Sequence, residues 1–185
     1  ISVSSESHIE MADCISQRGV RLRFNSTANL TRSVIEGSPV SLFDNCAIEV
    51  DSCDFNMADV QIGVQCTGTI KNSTFNGLGV SVSQASLLEV LNSEFTGGQF
   101  EVWPGRPYSD GAIIATHNSF VTLVQCLITD CTVEGNGGAV VSVENSDIAV
   151  VNCTIVGNTA TGNGGGVFAD SGAVQLMNTI VRDNG

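Results

Sequence analysis

Apolar and polar residues alternate along most of this chain, and the alternating unit itself returns every 20 residues. Val20-Arg21-Leu22, Val40-Ser41-Leu42, Val60-Gln61-Ile62, Val80-Ser81-Val82 and Phe100-Glu101-Val102 are each apolar-polar-apolar, and each begins 20 positions after the last. Alternation puts every second side chain on one face of a strand. A fixed period means that one strand-bearing unit is stacked on copies of itself, so the pattern predicts a parallel β-solenoid.

A second strand series runs beside the first on the template apolar-x-apolar-x-Asn-Cys/Ser-x-Ile/Phe. Its best copies are Ile48–Phe55, Leu88–Phe95, Val121–Ile128 and Ile148–Ile155. With weaker copies, the starts fall at residues 9, 28, 48, 68, 88, 121, 148 and 174, giving steps of 19, 20, 20, 20, 33, 27 and 26. Coils this long favour the right-handed form over the shorter hexapeptide form. The expected fold is therefore all-β, a right-handed single-stranded parallel β-helix of about eight coils, roughly 40 Å long at about 4.8 Å per rung. Residues 1–185 read as one domain: regular coils over 9–95, a long coil with a loop insertion over 96–120, and Gly-rich coils over 121–185. Ile1 opens directly into a repeat and Gly185 ends within one, which reads as a segment of a longer protein.

Stacking turns each slot into a ladder. Phe55, Phe75 and Phe95 fall in one column, followed by Ile128 and Ile155. Asn72, Asn92, Asn152 and Asn178 fall in another, where stacked amides are expected to bond from rung to rung.

Composition narrows the function classes. The net charge is −12 with only seven basic residues, read here as scattered along the chain, which argues against nucleic acid and anionic membranes as partners. No run of about 18 apolar residues offers a transmembrane span. Nothing in the residue pattern implies a cofactor or a metal; no Cys-x-x-Cys or Cys/His grouping supports zinc. Among the seven cysteines, Cys46 and Cys66 stand one coil apart, as do Cys126 and Cys153. Each pair fits either a disulfide between neighbouring rungs or two stacked thiols. Four Asn-x-Ser/Thr sequons occur, at Asn25, Asn29, Asn72 and Asn152. Asn25 and Asn29, beside a turn between coils, are the better glycan acceptors.

In the C-terminal half, Gly137-Gly138-Ala139-Val140, Gly165-Gly166-Val167-Phe168 and the degenerate Asp110-Gly111-Ala112-Ile113 resemble the Gly-Gly-Ala-Ile repeat of chlamydial polymorphic outer-membrane proteins. Ile155-Val156-Gly157-Asn158 and Val181-Arg182-Asp183-Asn184 are similar to the companion Phe-x-x-Asn motif, with an aliphatic residue in place of Phe. The stretch Asn152–Ala160 also resembles repeats in large secreted proteins of the pectate-lyase-like superfamily. The resemblance implies a β-helix ectodomain displayed outside or on the surface of a cell, working in adhesion or assembly with other protein chains or with the rest of a larger parent protein.

Enzymes of this general fold mount carboxylates and bases on adjacent rungs, and glycoside hydrolysis needs two carboxylates at a set separation. The nearest approach here is Glu49, Asp51 and Asp54, then Lys71, then Glu89 and Glu94. Such an array fits a Ca²⁺ site or, more simply, a solvated face bridged by Lys71. The Asn-Thr-Asp and Gly-His-Gly motifs of polygalacturonases are missing, and His8 and His117 have no partner visible in sequence. The expectation is a non-enzymatic module, with glycan binding or polysaccharide cleavage as the alternative.

Two features mark contact surfaces. The segment Glu101–Asp110 holds the sole Trp and sole Tyr; Trp103, Arg106, Tyr108 and Asp110 suit a protein hot spot or sugar stacking. The fourth position of the longer strand series reads Ala12, Thr31, Asp51, Lys71, then Leu91, Val124, Val151, Met177. A switch from polar to apolar in an outward slot predicts a hydrophobic stripe covered either by the loop of the fifth coil, folded back on the solenoid, or by another chain or domain.

Overall fold

The computed structural model of the protein describes residues 1–100 and 111–185. Among these residues every helix or strand is a strand, and every strand pair is parallel. The strands form three eight-stranded sheets and one three-stranded sheet. The chain is thus a parallel β-helix of eight rungs with three faces, a triangular prism. Sheet I runs from Ser2–Ser4 to Val167–Asp170, sheet II from His8–Ala12 to Ala173–Met177, and sheet III from Ile15–Ser16 to Ile180–Arg182.

The expected register of sheet II holds throughout. Ile9, Ala28, Ile48, Gly68, Leu88, Val121, Ile148 and Val174 form one column, although the chain between them varies in length. Apart from Gly68, the side chains of this column are buried inside the prism or packed on its core, while the residues on either side of each point outward. Sheet I departs from expectation at one place. Val20, Val40, Val60 and Val80 do stack, but the next residue in the column is Ile113, not Phe100. The pair Gln99–Phe100 instead opens the small fourth sheet, against Thr132–Val133 and then Thr159–Ala160. The long coil takes its extra residues between sheets III and I, so counting 20 from Val80 lands short of the true strand.

The core is layered. The rings of Phe55 and Phe75 stack at 4.4 Å and 2°, those of Phe75 and Phe95 at 4.5 Å and 11°, and all three are fully buried. Ile128 and Ile155 continue the column.

Corners are set by backbone conformation. Between sheets II and III one residue per coil takes the left-handed region: Asp13, Arg32, Ser52, Asn72, Asn92, Gln125, Asn152 and Asn178. Asparagine tolerates that region better than most residues, which accounts for the asparagine column. Its members bond from rung to rung through the backbone, as from Asn72 N–H to Leu91 O at 3.0 Å and from Asn152 N–H to Met177 O at 2.9 Å, and the Asn72 amide reaches Asp51 on the neighbouring rung rather than another asparagine of the ladder expected from sequence. Side-chain asparagine stacking occurs one corner later. There buried Asn158 donates through Nδ2 to Ile128 O, Val156 O and Asn184 Oδ1, and accepts the Cys131 N–H on its Oδ1.

Beside the sheet II corners run two columns of small hydrogen-bonding side chains. In one, Ser33, Cys53, Ser73, Ser93, Cys126, Cys153 and Thr179 each donate to the carbonyl two residues back. Most also accept an N–H from the preceding rung, as Ser73 does from Cys53. The cysteine pairs belong to these columns. All seven cysteines are free, so the disulfide readings of Cys46–Cys66 and Cys126–Cys153 give way to the stacked-thiol reading. Cys46 N–H donates to Cys66 Sγ at 3.2 Å, and Cys126 N–H to Cys153 Sγ at 3.3 Å. Rungs about 4.8 Å apart hold in-register Cβ atoms wider than the roughly 3.8 Å usual across a disulfide. Burial pushes the Cys66 thiol up to about 11, so it stays protonated and inert.

Candidate interaction surface

Sheet II presents its outward residues in three columns, and their chemistry changes halfway along the rod. The first four rungs carry His8, Glu10 and Ala12; Thr27, Asn29 and Thr31; Ala47, Glu49 and Asp51; Thr67, Thr69 and Lys71. The last four carry Leu87, Glu89 and Leu91; Phe120, Thr122 and Val124; Asp147, Ala149 and Val151; Ala173, Gln175 and Met177.

On the polar half, small side chains at Thr27, Ala47 and Thr67 leave a shallow groove of about 280 Å³, walled by Asn29, Glu49 and Thr69 and closed by His8. His8 Nδ1 shares a hydrogen bond of 2.6 Å with Thr27 Oγ1, and its Nε2 lies 3.6 Å from Glu10. The carboxylates singled out in the sequence are spread rather than gathered. Glu49 and Glu89 are separated by Thr69 in one column of sheet II. Asp54 and Glu94 are separated by Thr74 on sheet III, where Thr74 donates to Asp54 at 2.6 Å. Two rungs put like groups roughly 10 Å apart. Among the described residues no three His, Cys, Asp or Glu side chains converge as metal ligands. Asp51 accepts from Asn72 Nδ2 and Ser52 Oγ, both at 2.9 Å. Those two bonds, aided by the nearby charges of Lys71 and Arg32, hold its carboxyl below the usual range. Lys71 acts through proximity and makes no contact ion pair with Asp51. His117 does have a partner: its Nδ1 lies 2.7 Å from Glu144 Oε2, one 27-residue coil away.

The basic residues are less scattered than the sequence reading had them. Arg18, Arg21, Arg23 and Arg32 fall in the first two coils. Arg32 forms a two-pronged pair with Asp13 at 2.8 Å, and Arg23 lies 5.5 Å over the Phe43 ring. Asn25 is exposed at a corner, where its Oδ1 accepts from Asn45 Nδ2; Asn29 is half-buried in the groove wall.

The apolar half is a surface of two ridges. Leu91, Val124, Val151 and Met177 stack in unbroken register, as the outward-slot reading expected. A second ridge escaped that reading. Leu87 and Phe120 stack in the first outward column and are 53% and 42% exposed, while Leu91, Val124 and Val151 on the other ridge are half-buried. The signal was available, because that column also turns from Thr67 to Leu87 at the fifth coil. Sheet I offers a contrast in the same coils. Its outward Ile114, Val141 and Val143 are 1%, 0% and 2% exposed and pack with Phe168. There the chain covers its own apolar face: a Cβ on Gly137 would sit 2.3 Å from Val141 Cγ2. The Gly-Gly motif thus serves close packing, with Gly138 stacked directly on Gly165. Trp103, Arg106, Tyr108 and Asp110 lie outside the described residues.

No described helix is long and apolar enough to cross a membrane. In comparisons with protein-family models, curated proteins and solved structures, no match is found.

Proposed function

We propose that this chain is a structural, adhesive or assembly module of a secreted or cell-surface right-handed β-helix protein, one that binds other protein chains through the outer face of sheet II. The observation that carries this reading is the apolar face on the last four rungs, where the Leu91–Met177 ridge runs beside a shorter one of Leu87 and Phe120. Parallel sheets are ordinarily buried on both faces, and contiguous exposed apolar columns mark interaction sites. Sheet I hides its outward apolar residues beneath glycine-rich turns, whereas sheet II leaves Leu87 and Phe120 in solvent and Leu91, Val124 and Val151 half-buried.

The test is light scattering after size exclusion, comparing the wild-type chain with the Val151→Lys/Met177→Lys double variant. Wild type is expected to elute above monomer mass in a concentration-dependent way, and the variant to fall at least tenfold in association constant. Equal masses for both proteins would remove the main support for a protein-binding face.

A second reading, of a glycan-binding module, draws on the groove bounded by His8, Asn29, Glu49 and Thr69, whose lining offers a saccharide hydroxyl-compatible donors and acceptors. Titration calorimetry against neutral and acidic oligosaccharides would show binding, reduced tenfold or more in Asn29→Ala/Glu49→Gln. Turnover that disappears with Asp51→Asn or Lys71→Ala would make it an enzyme; no heat with any saccharide ends this reading.

A further inference from the structure

The apolar face has dimensions that select its occupant. Four rungs span about 19 Å along the rod; the Leu91–Met177 ridge runs that whole length, whereas the Leu87–Phe120 ridge, four residues away on each strand and about 13 Å distant, walls only the first two rungs before giving way to Asp147 and Ala173. Between them the floor consists of Thr122 and Ala149, both short, with Glu89 at one end and Gln175 at the other. This is a trough, about 250 Å² in plan. A stable interface between two folded chains usually takes about 800 Å² from each partner, so a second copy would hold to this face only weakly and in a concentration-dependent way, and a narrower occupant fits it better. An α-helix is about 10 Å across and advances about 1.5 Å per residue. One helix of about 13 residues, lying along the rod, matches the length of the longer ridge and is flanked by apolar side chains on both sides over its first half.

Charge specifies the helix further. Glu89 in the floor and Asp147, which interrupts the Leu87–Phe120 ridge, are both exposed and have no cationic partner among the described residues. Among the described residues Lys71 stands one rung beyond Leu91, in line with the other ridge. Resting on the protein-binding reading above, we infer that the trough receives a single amphipathic α-helix of another polypeptide, three to four turns long. The helix carries an apolar stripe spaced i, i+3, i+4, i+7 and lysine or arginine along its flanks. Its apolar side chains meet Phe120, Val124 and Val151; its basic flank meets Glu89 and Asp147.

The probe is a capped 14-residue synthetic peptide with Leu and Ala on one helical face and Lys on both flanks. Controls are the same residues in scrambled order and a version with Glu in place of Lys. Binding is read from the methyl resonances of Leu87, Leu91, Val124, Val151 and Met177. Saturable shifts confined to those methyls are expected, at least tenfold weaker with the scrambled peptide and with Val151→Lys/Met177→Lys. Glu89→Gln/Asp147→Asn is expected to weaken binding about threefold and to abolish the preference for Lys over Glu flanks. Equal shifts with the scrambled peptide, or shifts that map elsewhere, overturn the inference. Should light scattering show self-association lost in Val151→Lys/Met177→Lys while the peptide fails to bind, a second copy covers the face. The helix is then wrong, and the protein-binding reading survives. A monomeric wild type that ignores the peptide overturns both.

Discussion

Phe75→Ala is expected to lower the unfolding free energy by about 4–5 kcal/mol, near the top of the range for a buried aromatic. Phe75 is the middle ring of three, fully buried, and stacks on both neighbours at 4.4 and 4.5 Å. Truncation removes the transfer free energy of the ring and opens a cavity that the rung above and the rung below cannot close, because backbone bonds fix their spacing. It also removes two aromatic contacts, each worth about 0.5–1.5 kcal/mol beyond area burial. Phe75→Leu keeps most of the volume and should lose no more than half as much. The measurement is chemical denaturation followed by circular dichroism, with hydrogen exchange to locate the damage. In a stack where each rung contacts only its neighbours, the weakened rung should split one transition into two. A loss under 2 kcal/mol with a single sharp transition would mean that the ring column is not the central prop assumed here.

Asn158→Leu is expected to cost about 3–5 kcal/mol, although the new side chain is apolar and similar in size. The reason is what it leaves behind. Asn158 is 0% exposed, and it supplies the acceptor for Cys131 N–H and a donor for the carbonyls of Ile128 and Val156. Each buried group stranded without a partner costs about 1–3 kcal/mol. The same variant also loses the amide contact to Asn184 Oδ1 at 3.0 Å, so the last coil should lose hydrogen-exchange protection before the rest. An Asn158→Leu protein within 1 kcal/mol of wild type would show that the corner finds other partners, water among them.

The two variants illustrate what the sequence discloses and what it hides. The columns through Ile9 and Phe55 were legible because a strand alternates with period two and each rung repeats the one below, so identity of residue type signals identity of slot. The apolar ridge from Leu91 to Met177 was readable by the same logic. The strand after Val80 was misplaced because periodicity counts residues, whereas the fold counts rungs, and the long coil inserts its surplus before Ile113. The Asn158 ladder appeared in the sequence only as a motif; its buried bonds depend on a corner whose geometry no spacing rule states. The partnership of His117 with Glu144 and the lack of disulfides are matters of side-chain aim over a few ångströms. Alternation cannot report those.

The constant column from Ile9 to Val174, kept across coils that differ in length by as much as 14 residues between the shortest and the longest step, has a consequence for how such a chain can change. Surplus residues are discharged at a corner, and the next rung starts again in phase, so an insertion is a local event with no downstream bill in register. Most folds couple loop length to the placement of everything that follows. This one separates the two, which lets a lineage lengthen one corner into a recognition loop, or duplicate a whole rung, while the neighbouring layers go on stacking as before.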